Sequence, residues 1–471
     1  MVFSSTVFIF LYLPFVLGIY FLLDKKLRNL FLLIASLFFY AWGEGILVLL
    51  MMSSIGVNYI AGLLIDISNK KLKTRRSNAF LIIGVTLNLM VLVYYKYIHF
   101  IFENLQFLEL KLNFDTSNVT LPIGISFFTF QSISYLIDVH RGSVEGQRSI
   151  INLGMYIALF PQLIAGPIVR YIDISKEIES RKVTSSLFKS GISRFLIGFA
   201  KKVIIANNVG FIADKIFGVP VGDLSTSMTW IGAICYSLQI YYDFSGYSDM
   251  AIGLGKMFGF NFKENFEHPY ISKSIKEFWR RWHISLSSWF RDYLYIPLGG
   301  NKKGKYRTYV NLFIVFLLTG LWHGASWNFI IWGLFHGFFL ILERIEPFTL
   351  SSKFNILKRI YLLLVVIIGW VIFRAEDLGY AVDYIFRMFA FKDGVYTYPY
   401  LFLNTYVLTI ILLGILFATP LRALLVEKLK IILPNKFGAL AIERGVYIML
   451  FLFALMELAQ TTYNPFIYFR F

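Results

Sequence analysis

The sequence predicts an all-α polytopic membrane protein, and three observations support this prediction. Apolar runs recur along the chain, each of about 20 residues, which is the length of an α-helix that crosses a bilayer. Of the 471 residues, 57% are hydrophobic, whereas a soluble globular protein averages about 45–50%. The Lys and Arg residues behind the net charge of +17 lie in loops between apolar runs, as the positive-inside rule expects. This distribution places them at a membrane surface and argues against nucleic-acid binding.

The apolar runs define the elements in chain order. The run 7–23 has no basic stretch or cleavage site before it, so we expect a first helix with the N-terminus outside. Basic residues after this run, and again at 69–76 and 189–202, mark the cytoplasmic side. We expect further spans at 31–42, 46–65, 80–95, 121–139, 203–217, 230–258, 309–342, 362–373, 400–418 and 447–458. No repeat or linker interrupts them, so residues 1–471 are expected to form a single membrane domain of about eleven spans, with 461–471 outside.

Two apolar runs are not expected to form simple spans. The run 151–168 contains Phe160-Pro-Gln-Leu-Ile-Ala-Gly-Pro167, and non-helical backbone at membrane depth has to be buried in protein or line a wet cavity. We therefore expect a re-entrant or broken segment there. The run 309–342 has glycines near its centre and forms either two spans or one interrupted span. Between these runs, residues 263–307 are the longest basic stretch, and we expect a cytoplasmic interfacial segment.

Two histidines stand in membrane-length apolar sequence. From Tyr309 to Leu342 the only basic or acidic side chains are His323 and His336. An ionisable residue at that depth usually faces the bundle interior or a wet cavity, and histidine is the side chain best suited to move a proton near neutral pH. We therefore predict that His323, preceded by Trp322, is catalytic. For His336 both a structural and a functional role stay open.

An aromatic motif lies in the basic segment. Its large side chains recur at intervals of four, four, three and four residues, which predicts one helix face; they are Phe278, Trp282, Leu286, Trp289 and Tyr293. One hypothesis is an interfacial helix with this face among lipid headgroups. The other adds a cytoplasmic mouth where Arg280 and Arg281 bind an anionic cofactor, because a guanidinium group binds two phosphate oxygens at once.

No metal site is expected. On one continuous helix His323 and His336 would be about 220° apart, and Asp243 and Asp249 about 240° apart, so neither pair would share a ligand. The one cysteine, Cys235, allows no disulfide framework. Hydrogen bonding within the bundle is the simpler role for the two aspartates, and also for Glu457 in the last apolar run.

These motifs, taken in order, resemble the membrane-bound O-acyltransferase family, and in particular its bacterial branch that acetylates alginate and peptidoglycan and D-alanylates teichoic acids. The resemblance covers nearly the whole chain. It rests on five segments: Met1-Val-Phe-Ser-Ser-Thr-Val-Phe8, Phe160-Pro-Gln-Leu-Ile-Ala-Gly-Pro167, Tyr242-Asp-Phe-Ser-Gly-Tyr-Ser-Asp249, Phe278-Trp-Arg-Arg-Trp-His-Ile-Ser-Leu-Ser287 and Leu321-Trp-His-Gly324. It implies a ring of tilted helices around a central tunnel, in which the acyl donor enters from the cytoplasm and the acceptor from the other side.

The resemblance also implies roles for individual residues. His323 corresponds to the family's catalytic histidine, and His283 to an earlier polar residue that would orient or polarise a thioester. The C-terminal Phe466-Ile-Tyr-Phe-Arg-Phe471 is similar to a segment whose tyrosine carries an acyl group, which makes Tyr468 a candidate carrier. The expected binding residues are Arg280, Arg281, Trp282, Trp322, Asp243 and Asn328. The same C-terminal aromatics would also suit an anchor at the membrane interface.

The expected reaction uses acetyl-CoA as acyl donor, with no bound cofactor. An extracytoplasmic SGNH-type partner would pass the acetyl group to a cell-envelope or extracellular polysaccharide, and the chain would reside in the cytoplasmic membrane among lipids. Three alternatives stay open at this point: a polysaccharide export component, a direct acyltransferase of lipid or protein, and a catalytically inactive scaffold. Loss of thioester turnover on replacement of His323 would separate the enzyme from the transporter and the scaffold.

Overall fold

A computed structural model of the chain describes residues 1–107, 116, 119–345, 354–394, 402–432, 436–460 and 463–467. All regular secondary structure in these ranges is helical. The all-α prediction is therefore confirmed for the described part of the chain. Tyr468, the candidate acyl carrier, lies outside the described residues.

The chain folds into two compact units. The first comprises Met1–Ile192 and Met250–Lys263. Its helices are α1 Leu13–Leu22, α2 Arg28–Glu44, α3 Val48–Lys70, α4 Thr74–Leu92, α5 Ile98–Phe107, α6 Ile125–His140, α7 Ile150–Ala158, α8 Phe160–Leu163, α9 Tyr171–Glu179 and the start of α10 Ser185–Ala200. Single π-helical turns at Phe8–Tyr12 and Val93–Tyr97 lead into α1 and α5.

The second unit comprises Ser193–Asp249 and Glu264–Phe471. Its helices are the rest of α10, α11 Asn207–Phe217, most of α12 Thr226–Phe258, α13 Ile275–Arg281, α14 Ile284–Phe290, α15 Lys305–His323, α16 Trp327–Leu342, α17 Asn355–Arg374, α18 Leu378–Phe389, α19 Thr405–Phe417, α20 Leu421–Ile432 and α21 Lys436–Gln460. A π-helical stretch, Lys201–Ala206, joins α10 to α11.

Several helices suit a membrane. By length and hydropathy, four helical stretches among the described residues could cross one: Arg28–Lys70, Thr74–Phe107, Ser185–Phe217 and Asn355–Arg374. A fifth results if Thr405–Phe417 and Leu421–Lys428, bent by 80°, count as one span. Phe8–Leu22 and Trp327–Leu342 are apolar but shorter. The prediction of several apolar helices is confirmed, while the number of about eleven and the ring arrangement stay predictions.

The proline-rich run 151–168 is broken, as its sequence predicts. Helix α7 ends at Ala158, and the four-residue α8 begins at Phe160 with Pro161 in its first turn. Gly166 is required there, because a Cβ atom would lie 2.6 Å from the Cα atom of Gln162. The segment is buried within the first unit, where Phe160 contacts several aromatic rings, those of Phe3, Phe8, Tyr12, Phe39 and Phe258.

The run 309–342 is broken into two helices near its centre, as its glycines predict. Helix α15 ends at His323 and α16 begins at Trp327. The two helices touch through glycines: a Cβ atom on Gly320 would lie 2.3 Å from the carbonyl oxygen of Phe329, and one on Gly333 the same distance from that of Phe316. Because glycine has no side chain, contacts of this kind let the backbones of apolar helices approach each other closely in a membrane.

Candidate active site

His323 is the last residue of α15 and is enclosed by aromatic rings. Its ring centroid lies 5.1 Å from that of Trp322, 4.9 Å from Trp332 and 5.2 Å from Phe373, all nearly edge-to-face. These rings come from α15, α16 and α17, and only 4% of His323 is exposed. The helices therefore enclose the imidazole of His323 among aromatic side chains and shield it from solvent.

His336 contacts the same tryptophan from α16. Its ring centroid is 5.0 Å from that of Trp332, and it also packs edge-on against Trp279 at 5.3 Å. The predicted separation of about 220° between His323 and His336 assumed one continuous helix. The break after His323 instead turns α16 back and brings both histidines to Trp332. Neither ring nitrogen of His336 has a hydrogen-bond partner among the described residues. Its environment is that of a packed aromatic side chain.

The aromatic motif is not the single helix that its spacing predicts. Helix α13 ends at Arg281, and α14 begins at Ile284, because the chain turns at His283, whose φ of +43° and ψ of +55° are left-handed. The Ile284 amide donates to the carbonyl oxygen of Asn265 at 2.9 Å instead of continuing α13. A left-handed conformation is uncommon for a residue with a Cβ atom and is concentrated at functional sites.

The aromatic side chains of the motif lie in the protein interior. All five predicted face residues are buried, namely Phe278, Trp282, Leu286, Trp289 and Tyr293. Trp282 packs against Trp370 with ring centroids 4.8 Å apart and against Phe266 at 5.1 Å. The expectation of an aromatic face among lipid headgroups is therefore wrong, because the turn at His283 directs these rings into the second unit.

His283 is fully buried and lies beside the His323 helix. Its ring centroid is 5.9 Å from that of Trp322 and 4.5 Å from that of Phe244. Its Nδ1 lies 3.1 Å from Oδ1 of Asn265. The structure therefore brings His283 against Trp322, the neighbour of His323, although about 40 positions of sequence separate His283 from this pair.

The C-terminal segment is bound within the second unit. Asp243 of α12 forms a buried ion pair with Lys202, with Nζ 2.6 Å from Oδ1, and its Oδ2 accepts the amide N–H of Ile467 at 2.8 Å. Lys202 also donates to the carbonyl oxygen of Pro465. Phe466 packs on Tyr247 with ring centroids 4.6 Å apart. Asp243, predicted to bind substrate, thus binds the chain's own C-terminal segment.

The two aspartates of α12 have separate partners. Asp249 forms ion pairs with Arg194 at 2.6 Å and Lys201 at 2.8 Å. Glu457 accepts hydrogen bonds from Tyr406 and Asn208, as expected for a carboxylate within the bundle.

The remaining predicted binding residues differ in their surroundings. Arg280 is exposed, whereas Arg281 bonds to Glu277 at 3.1 Å and to the carbonyl oxygen of Glu267 at 3.1 Å. Asn328 is buried and donates to the carbonyl oxygen of Ala375 at 2.7 Å, which ties α16 to the end of α17. Arg280 is the more exposed of the two arginines, whereas the side chain of Arg281 is 28% exposed and its guanidinium group is bonded within the chain.

Sequence reasoning missed two residues of this site, Lys202 and Asn265. The sequence assigns Lys202 to the cytoplasmic basic stretch 189–202, but the structure buries it against Asp243. Its position directly before the apolar run 203–217 was the available signal. Asn265 follows Lys263 and Glu264 in a short polar stretch between Phe262 and Phe266, and no spacing rule links it to His283.

Comparison with known proteins places this chain in a family. Residues 79–378 match the model of the membrane-bound O-acyltransferase family. The whole chain is 42% identical to the whole of a probable alginate O-acetylase from Pseudomonas putida. A peptidoglycan O-acetyltransferase from Helicobacter pylori is 35% identical over 80% of this chain and 78% of its own length. A teichoic acid D-alanyltransferase from Bacillus subtilis is 35% identical over 46% of this chain and 58% of its own. The chain therefore belongs to the membrane-bound O-acyltransferase family and is a multi-pass membrane acyltransferase.

Proposed function

We propose that this chain is a membrane O-acetyltransferase that moves an acetyl group from cytoplasmic acetyl-CoA to a cell-envelope or extracellular polysaccharide. The observation that supports it most is the enclosure of His323 by aromatic rings from three helices, one of which, Trp322, also contacts His283. The relatives named for alginate and peptidoglycan acetylation support a polysaccharide as the final acceptor. An SGNH-type partner outside the membrane completes the transfer in this proposal.

The proposed chemical step is attack of the Tyr468 hydroxyl on the thioester. The tyrosine oxygen bonds to the carbonyl carbon, the bond between that carbon and sulfur breaks, and CoA leaves as a thiolate. His323 takes the hydroxyl proton and returns it to the thiolate, so the products are an acetyl-tyrosine ester and CoA. A phenol, with an ordinary pKa of about 10, loses its proton more readily than a sugar hydroxyl.

The contacts of the C-terminal segment support Tyr468 as the carrier. Asp243 holds the amide of Ile467, the residue before Tyr468. The next residue of α12, Phe244, packs against His283. Successive residues of a helix point about 100° apart, so the C-terminal segment and His283 lie against neighbouring faces of one helix.

The test is peptide mass spectrometry of the purified protein after incubation with acetyl-CoA. We expect CoA release and an acetyl group on Tyr468, both lost in His323→Ala, while Tyr468→Phe loses the adduct. The matched control is Tyr463→Phe, because the Tyr463 hydroxyl instead donates to Asp214 at 2.6 Å. It should keep the adduct.

The other outcomes each remove part of the proposal. CoA release without acetylation of Tyr468 would discard the tyrosine carrier and leave direct transfer to another acceptor. If the unaltered protein shows neither CoA release nor an adduct, acetyl-CoA is discarded as the donor. Full turnover by His323→Ala would discard the general base.

A further inference from the structure

Asn265 binds the turn that carries His283. It is buried, and its Oδ1 lies 3.1 Å from Nδ1 of His283. The same oxygen accepts the backbone N–H of Ser285 at 3.1 Å and the Ser285 hydroxyl at 2.9 Å. On its other side, Nδ2 donates to the hydroxyl oxygen of Ser248 at 3.0 Å. Asn265 therefore links the His283 turn to helix α12.

These contacts fix the hydrogen-bonding direction. A backbone N–H can only donate, so the Asn265 atom that it meets is the amide oxygen, which can only accept. The facing Nδ1 of His283 must then carry the proton. In the neutral ring the lone pair is consequently on Nε2, which has no hydrogen-bond partner among the described residues.

The His283 ring stays neutral in this environment. Burial lowers its pKa to about 3. Its ring contacts the uncharged side chains of five described residues, Asn265, Ser285, Phe244, Phe266 and Trp322.

We infer that Asn265 is a positioning residue that holds His283 as the Nδ1–H tautomer, so that Nε2 accepts a hydrogen bond from an N–H or O–H group of the substrates. This inference rests on the proposed acetyl transfer. It changes the role expected for His283, because an unprotonated Nε2 cannot donate to a thioester carbonyl oxygen. His283 then orients a substrate donor and does not polarise the thioester, and proton removal stays with His323.

The first variant is Asn265→Asp, which keeps the shape and the acceptor oxygen but adds a negative charge facing Nδ1. It should raise the pKa of His283, so the acidic limb of the kcat/KM profile moves to higher pH. Asn265→Leu, which removes the acceptor, should lower kcat by about 10²- to 10⁴-fold with little change in KM. The control is Asn311→Asp, since Asn311 is equally buried but bonds to the Gly300 carbonyl oxygen. It should leave the acidic limb in place.

Two further measurements keep the inference testable if the Asn265 variants do not fold or if the protein shows no turnover. Ser248→Ala removes only the acceptor of Asn265 Nδ2 and should lower kcat several-fold. The unfolding temperature can be measured without substrate. Because the pKa of His283 is lower in the folded than in the unfolded protein, the contribution of this histidine to stability is present above its ordinary pKa and is lost as the pH falls. Asn265→Asp should reduce that loss.

The outcomes separate this inference from the proposed function. An unchanged acidic limb and an unchanged acid-unfolding curve in Asn265→Asp would overturn the inference, whatever the acyl donor is. Absence of CoA release by the unaltered protein would tell against the proposed function alone, since the unfolding curve still reports whether Asn265 faces His283.

Discussion

The amide N–H of Ile467 donates a 2.8 Å hydrogen bond to Oδ2 of Asp243. Asp243 is held in turn by Lys202 at its other carboxylate oxygen. Both ion-pair partners are almost fully buried, and Lys202 also binds the carbonyl oxygen of Pro465. One buried pair therefore fixes the last described residues of the chain, directly before the proposed carrier Tyr468.

Breaking this pair should release the C-terminal segment. Lys202→Met leaves Asp243 as a buried charge without its cation, and loss of one partner of a buried pair costs about 3–5 kcal/mol. We expect a lower unfolding temperature and faster removal of C-terminal residues by carboxypeptidase. Lys201→Met is the control, because Lys201 pairs with Asp249 and its side chain is a quarter exposed. Equal carboxypeptidase sensitivity of the two variants would contradict a role of the buried pair in holding the segment.

The contact between α15 and α16 should not tolerate a side chain. In Gly333→Ala the new methyl group would lie 2.3 Å from the Phe316 carbonyl oxygen. Backbone atoms cannot yield as a flexible side chain does, so we expect a loss of about 1–3 kcal/mol and a larger loss of activity, because His323 is at the end of α15. Thermal unfolding and CoA release measure the two effects.

The control for that substitution is Gly18→Ala. Gly18 lies within α1, and no atom from elsewhere in the described chain lies within 4 Å of the position that a Cβ atom would take there. Alanine in a helix interior should be neutral or stabilise by about 0.5–1 kcal/mol. A Gly333→Ala protein as stable and active as Gly18→Ala would show that the close approach is not needed.

The two histidines that flank Trp332 should respond differently to substitution. His336 has the packing of a buried aromatic residue, so His336→Leu, which keeps most of its volume, should retain a large fraction of CoA release. His323→Leu should lose about 10²- to 10⁴-fold, the usual contribution of a general base. Similar losses in both variants, with intact folding, would assign a catalytic role to His336 as well.

The two neighbouring arginines should also differ. Arg280→Ala should raise KM for acetyl-CoA several-fold, and the effect should shrink as salt is added, because an exposed guanidinium group attracts phosphates through solvent. Arg281 bonds to Glu277 and Glu267, so Arg281→Ala should lower stability and leave KM nearly unchanged. Initial rates at two ionic strengths decide the matter, and an effect of Arg280→Ala on KM that does not change with salt would contradict phosphate attraction.

Local sequence patterns predicted what depends on local rules. Apolar runs identified most of the helices, since a helix in lipid satisfies its own backbone hydrogen bonds. Pro161 and Gly166 predicted the break at 151–168, because proline lacks an amide donor and glycine alone fits where another backbone is close. The motif around His323 identified the candidate catalytic histidine and the family.

Patterns failed where distant contacts override local preference. The spacing of aromatic residues predicted one helix at 278–293, but the bond from the Ile284 amide to the Asn265 carbonyl oxygen stabilises a turn at His283. Likewise, no local rule separates Lys202, which is buried, from the neighbouring Lys201, which is partly exposed. Both lysines pair with aspartates of α12, and the tertiary structure alone decides that Lys202 meets Asp243 in the interior while Lys201 meets Asp249 with its side chain a quarter exposed.

The sequence by itself determined that this is an all-helical, apolar chain of the membrane-bound O-acyltransferase family with His323 as its candidate base, because hydropathy, helix breakers and ordered motifs are properties of short segments. The tertiary structure alone decided that His283 lies beside Trp322, that Asn265 faces its Nδ1, and that Asp243 holds the C-terminal segment. Those relationships join residues far apart in the chain, and hydrogen bonds and ion pairs of that kind exist only once helices have packed and excluded water.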